Sequence, residues 1–152
     1  MVWSSENSQC YPASNVLTLD EVDYENSCVS NYWMAKWKQT AGQGFTIKLD
    51  DCKRLVTGVQ VKNLRKNYNG WRTKKFRVSG SLSESGPWNT LLEEELLDVD
   101  GPAPLLEFNF DKAEEVQFIK FDLVSFWGDG GALQYFAAIP AGGEYKHNPQ
   151  SI

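Results

Sequence analysis

Gly44-Phe45-Thr46-Ile47-Lys48-Leu49-Asp50 alternates apolar and polar residues with period two. Leu55-Val56-Thr57-Gly58-Val59-Gln60-Val61-Lys62-Asn63-Leu64 takes up the alternation again a few positions later. Successive side chains of a strand point to opposite faces, so each stretch predicts a strand with one dry and one wet side. Working outward, Lys75-Phe76-Arg77-Val78-Ser79-Gly80-Ser81-Leu82 reads the same way. So do residues 105–110, 116–124 and 133–139. Ser83-Glu84-Ser85-Gly86-Pro87 and Asp100-Gly101-Pro102-Ala103-Pro104 are chain breakers between them. Short alternating strands separated by Gly, Pro, Asn and Asp clusters predict an all-β fold, an antiparallel β-sandwich or barrel. Leu91-Leu92-Glu93-Glu94-Glu95-Leu96-Leu97 is the one helix-like stretch. It is too short to outweigh the rest, and its Leu-Leu pairs equally suit a strand bulge. The expectation is a single domain over residues 1–140 and a loose polar tail over 141–152.

Bulk properties narrow the function classes. A chain of 152 residues suits one core, and 41% hydrophobic residues are enough to fill it. Six Trp, six Tyr and eight Phe imply either an aromatic core or a surface that uses rings for contact. The net charge of −5 opposes a nucleic-acid partner, whose phosphates need a basic face. The basic runs at 62–66 and 72–75 read first as solvated faces. No apolar run approaches the ~20 residues of a transmembrane helix. The polar start, residues 1–7, does not read as a signal peptide. That leaves an intracellular chain, or a secreted one whose signal has been removed.

Catalytic chemistry is thin. His147 is the only histidine and sits near the end of the tail, so a nucleophilic triad lacks its usual base. Phosphate-cradling, dinucleotide and nucleophile-elbow motifs do not occur. The clusters Glu93-Glu94-Glu95 and Glu114-Glu115 read as solvated edges rather than a glycosidase pair. Three cysteines, Cys10, Cys28 and Cys52, lie early in the chain; with no Cys-x-x-Cys and one histidine, they argue against zinc.

Several stretches together resemble the discoidin, or coagulation factor V/VIII type C, domain family, whose galactose-binding-like jelly-roll relatives include many carbohydrate-binding modules. They are Asn31-Tyr32-Trp33, Gly42-Gln43-Gly44-Phe45-Thr46-Ile47-Lys48-Leu49, Val56-Thr57-Gly58-Val59-Gln60-Val61, residues 75–81 with Gly86-Pro87-Trp88, residues 116–121 and residues 131–136. The order and spacing hold from Asn31 to Phe136. The resemblance implies that Trp33 is a core tryptophan. The family's end-to-end disulfide is excluded, since no cysteine follows Cys52. Cys28 with Cys52 is the expected alternative, and Cys10 pairing with either stays open. Relatives that hold structural calcium near the first loop use a carboxylate of the last strand, which is missing here. Asp20, Glu21 and Asp23 offer oxygens for calcium, against the simpler reading of an acidic solvated loop.

In such folds the end loops carry binding. The loop over 24–43 contributes Trp37, which has no core counterpart in the family. In the second, Leu64-Arg65-Lys66-Asn67-Tyr68-Asn69-Gly70-Trp71-Arg72, the resemblance singles out Arg65 and Asn69-Gly70. Guanidinium and amide groups reach vicinal hydroxyls, and an indole covers a sugar's C–H face, so Arg65, Asn67, Asn69 and Trp71 are candidate ligand residues. Asn-Gly is also an ordinary hairpin turn. The third loop, Ser125-Phe126-Trp127-Gly128-Asp129-Gly130-Gly131, offers Trp127 for stacking and Asp129 as a hydroxyl acceptor. The resemblance therefore implies a non-catalytic, extracellular module recognising a glycan or glycoconjugate. The alternative is adhesion to anionic lipid or a cell-surface protein through Met34, Lys36, Trp37 and Lys38.

Overall fold

The alternation read from the sequence becomes two facing sheets in a computed structural model that describes residues 1–19, 31–66 and 70–142. Among these residues the strands are β1 (Trp3–Ser4), β2 (Trp33–Met34), β3 (Gly44–Lys48), β4 (Arg54–Lys62), β5 (Trp71–Ser81), β6 (Asn89–Glu95), β7 (Leu105–Val116), β8 (Phe118–Gly128), β9 (Ala132–Leu133) and β10 (Tyr135–Pro140). A short 3-10 helix covers Ala13–Leu17. The larger sheet has the order β1-β3-β8-β5-β6, the second β10-β4-β7, and β2 pairs with β9 alone. All strand pairings are antiparallel.

The core lies between the two main sheets and is built of rings. Phe45 and Phe76 stack on either side of Phe121, with centroids 4.8 and 5.4 Å away. Phe136 from the opposite sheet meets Phe45 and Phe121 edge-on at 5.5 and 5.6 Å. Trp33 is fully buried against Phe45 and Phe121, and its indole N–H donates to the Ser5 carbonyl at 2.6 Å. Edge-to-face and offset contacts add ~0.5–1.5 kcal/mol per pair beyond area burial. Aliphatic residues of β4 (Val56, Val59, Val61) and β8 (Ile119, Leu123) complete the layer. The break in spacing between Val56 and Val59 coincides with a register shift between Val56 and Gly58.

Three expectations are corrected, and one open reading resolves. The Leu91–Leu97 stretch contains edge strand β6, with the register shifting between Val78 and Ser79 beside Leu91. Leu92 pairs with Val78, and Glu93 lies opposite Arg77 in an ion pair of 3.0 Å. Cross-strand partners override a local helical preference that spans barely two turns. Strands β5 and β8 also run further than their alternation suggests, so Trp71, Arg72, Phe126 and Trp127 are strand residues. Register shifts around Lys75 hide the period there. The expected Cys28–Cys52 pairing does not form, since Cys52 is a free exposed thiol and Cys10 is disulfide-bonded. Cys28 lies outside the described residues. Met34 is buried in a satellite cluster with Tyr32, Leu64 and Ala132, so it cannot serve as an exposed adhesive tip. No helix of the described residues is long and apolar enough to cross a membrane.

Candidate functional site

Three connections meet at the end of the sandwich where β8 stops. Backbone hydrogen bonds stitch them together: Ala35 N–H donates to Gly131 O at 2.8 Å, Lys38 N–H to Asp129 O at 2.9 Å, and Asp129 N–H to Gly70 O at 2.7 Å. Arg72 N–H reaches Gly130 O at 3.0 Å. These bonds place Trp37, Gly70, Trp71 and Asp129 on one rim, although they come from three separate stretches of sequence. Glycines make the close approach feasible. Gly128 has φ of 76°, and a Cβ there would lie 2.2 Å from the Gly70 carbonyl oxygen. At Gly130 a Cβ would meet the Trp71 ring at 2.5 Å, so the indole lies directly over that turn.

Beneath the rim, polar side chains are tied internally. Arg72 and Asp98, with side chains 9% and 17% exposed, form a two-point pair: Nε donates to Oδ1 at 2.6 Å and Nη2 to Oδ2 at 3.1 Å. Charge-assisted bidentate geometry makes this a rigid link between β5 and the β6–β7 connection. The Asn63 amide clamps β5 from below, donating to Thr73 O at 2.8 Å and accepting from Thr73 N–H at 3.2 Å. The Thr73 hydroxyl then donates to Ala132 O at 2.8 Å. Sequence reading missed these anchors. Asn63 was visible only as a polar residue closing a strand, and the partner of Arg72 lies 26 residues away.

The predicted ligand residues have different fates. Trp37 is 60% exposed, with the Lys38 ammonium 5.0 Å from its ring centroid. Asp129 is exposed, and its carboxylate faces Gly70. Trp71 is half-buried against the Tyr32–Met34–Leu64 cluster. Arg65 is half-buried on the same connection, where the next residue, Lys66, bonds through its N–H to Val99 O at 2.8 Å. Trp127 is half-buried, its indole N–H donating to Leu96 O at 3.2 Å, with the Lys74 ammonium 4.6 Å from its ring centroid. Phe126, its neighbour, packs against the main core. Asn67 and Asn69 lie outside the described residues, as do the calcium candidates Asp20, Glu21 and Asp23. Among the described residues no three His, Cys, Asp or Glu side chains converge as a metal site.

Such a rim suits recognition of a hydroxyl-rich surface: an exposed indole, a nearby carboxylate acceptor and glycine backbone that a ligand can approach closely. No family sequence model matches the chain, and no curated protein sequence matches it. Structural similarity is clear. The family 32 carbohydrate-binding module of C. perfringens NanJ in complex with galactose superposes with a TM-score of 0.65 at 14% identity, covering 90% of each chain. A second family 32 module, from a family 31 glycoside hydrolase of Clostridium perfringens, gives 0.65 at 16% identity, again over 90% of both. A chitosan-binding module of a Paenibacillus chitosanase/glucanase gives 0.54 at 13% identity over 88% of both. The chain thus has the antiparallel β-sandwich, jelly-roll fold that these modules share.

Proposed function

We propose that this chain is a non-catalytic carbohydrate-binding module that holds a glycan on the rim formed by residues 35–38, Gly70–Trp71 and 128–131. The observation that carries this reading is Trp37. A large indole left 60% exposed is held by the backbone bond of its neighbour Lys38 to Asp129, so ring and carboxylate share one rigid mount. A sugar's C–H face stacks on an indole while its hydroxyls donate to a carboxylate. Trp71 lies over Gly130 beside this mount, and Trp127 is fixed to Leu96 O near the end of β8. Arg65, on the connection after β4, belongs to the same reading as a hydroxyl-binding donor. The shared fold of a family 32 module in complex with galactose and of a chitosan-binding module supports the same assignment. The reading includes secretion, since free glycan is chiefly an extracellular ligand.

A glycan array probed with the wild-type chain, Trp37→Ala and Asp129→Asn tests this. The wild type should retain at least one glycan, and Trp37→Ala should weaken that binding about tenfold, the equivalent of ~1.4 kcal/mol. Because the Trp37 side chain is exposed, its melting temperature should stay put. Absence of any retained glycan, or equal retention by all three proteins, would refute the assignment.

A further inference from the structure

The outward face of the larger sheet carries a second aromatic constellation, far from the rim. Along β8, Ile119, Phe121 and Leu123 point into the core, so Lys120 points outward. Direct register partners form a row across the sheet: Trp3 opposite Thr46, Thr46 opposite Lys120, and Lys120 opposite Ser79. Side chains directly opposite one another share a face, so this row brings Trp3 and Lys120 to either side of Thr46. The turn after β5 then folds Trp88 toward the same point.

The Lys120 ammonium lies 5.8 Å from the Trp3 ring centroid and 5.1 Å from that of Trp88. Between them opens a cavity of about 290 Å³ lined by Trp3, Thr46, Glu84, Trp88 and Lys120. That volume lies just under the ~300–1,000 Å³ usual for small-molecule sites, enough for one sugar ring. Trp3 is 41% exposed, a large apolar surface to leave in water on a two-residue edge strand. Among the described residues no carboxylate is within ion-pairing distance of the Lys120 ammonium, so its N–H donors are not committed to an acid.

The geometry points to a second carbohydrate site here, taking a neutral pyranose unit of an oligosaccharide between Trp3 and Trp88. Two indoles supply apolar surface for the C–H faces of a sugar ring. Lys120 supplies donors and Glu84 an acceptor, the complementary pair that a vicinal diol needs. The two charges cancel, which favours a neutral sugar over a uronate: an acidic ring gaining Lys120 would meet Glu84 as well. Lys120 and Gly128 are eight residues apart on one strand, which at ~3.3 Å per residue separates this cavity from the rim by roughly 25 Å. One sugar cannot occupy both sites; a chain of several units, or two chains, is required.

Nitrogen-15 indole spectra of the full chain provide the test, with xylotetraose, mannotetraose, cellotetraose and tri-galacturonate as probes. Indole signals are assigned by single Trp→Phe variants. At millimolar sugar, at least one neutral tetrasaccharide should shift the Trp3 and Trp88 indole signals saturably. Trp3→Ala should weaken the effect at Trp88 about tenfold, and Glu84→Gln, at an exposed turn, should weaken it without touching the fold. Trp37→Ala should leave the effect intact, which separates this site from the rim. Silence of both indoles with every probe, a stronger response to tri-galacturonate than to the neutral sugars, or an unchanged response in both Trp3→Ala and Glu84→Gln would overturn the proposal.

Discussion

Replacing Arg72 with Met isolates the link that holds the rim over the sandwich. The guanidinium is matched at two points by Asp98, and neither side chain is more than 17% exposed. Methionine keeps the packing volume along the stem but strands the Asp98 carboxylate in a half-dry site. Breaking one partner of a buried pair costs ~3–5 kcal/mol. With Asp98 retaining some access to water, the low end applies, about 3 kcal/mol. At a urea slope of ~2 kcal/mol per molar for a chain of this size, the unfolding midpoint should fall by about 1.5 M. The double variant Arg72→Met/Asp98→Leu removes the stranded charge and should recover most of that loss. The coupling between the two positions would then be ~2 kcal/mol. Urea unfolding followed by tryptophan fluorescence measures all four proteins of the cycle. A midpoint drop below about 0.5 M for Arg72→Met, or a double variant whose loss equals the sum of the singles, would refute the view of this pair as a buried anchor.

Two further outcomes follow from the geometry. Gly128→Ala must place a methyl 2.2 Å from the Gly70 carbonyl and strain a φ of 76°, so it should cost ~2–4 kcal/mol by thermal or urea unfolding and reduce glycan retention; a loss under about 1 kcal/mol would contradict this packing. Asp122, facing outward between Lys120 on its own strand and Arg77 on β5, is partly buried, and that burial holds its carboxyl above the usual range despite both cations. A raised native pKa means stability is lost as pH rises from the ordinary carboxylate value through the native one. Asp122→Asn should therefore be the more stable protein at pH 7, with the gain shrinking as pH falls into the ordinary carboxylate range; a constant difference across pH 3–7 would contradict the sign.

What the sequence made legible was periodic. Phe45 and Ile47, Val59 and Val61, Phe76 and Val78, and Phe121 and Leu123 all fill the core that their period-two spacing assigns. Periodicity failed where register shifts break it, at 73–76, which hid the first residues of β5 and the last of β8. It left edge strand β6 open between a helical turn and a strand bulge, a choice that antiparallel backbone pairing with β5 decides. Within the candidate site Trp37 could be singled out, because the resemblance gave it no core role. The fixing of Trp127 by Leu96 and of Arg72 by Asp98 could not, since both depend on a connection 26 to 31 residues away. The cavity at Trp3 was the least legible, because its walls come from β1, β3, β8 and the turn after β5.

Strand β8 ties these features into one physical scheme. Flanked by β3 and β5, it cannot slide: a shift of one residue would turn Phe121 and Leu123 out of the core and Lys120 and Asp122 into it. The core rings that fix its register therefore also fix both ends of the strand relative to each other. At one end this holds Lys120 between two indoles. At the other it delivers Gly128, Asp129 and Gly130 to the point where Lys38, Gly70 and Arg72 take up their backbone groups. A ligand meeting either end finds groups already in place, so little of its binding energy is spent on ordering the protein. It follows that core substitutions which loosen β8, such as Phe121→Leu, should weaken glycan retention at the two proposed sites even though Phe121 touches neither surface.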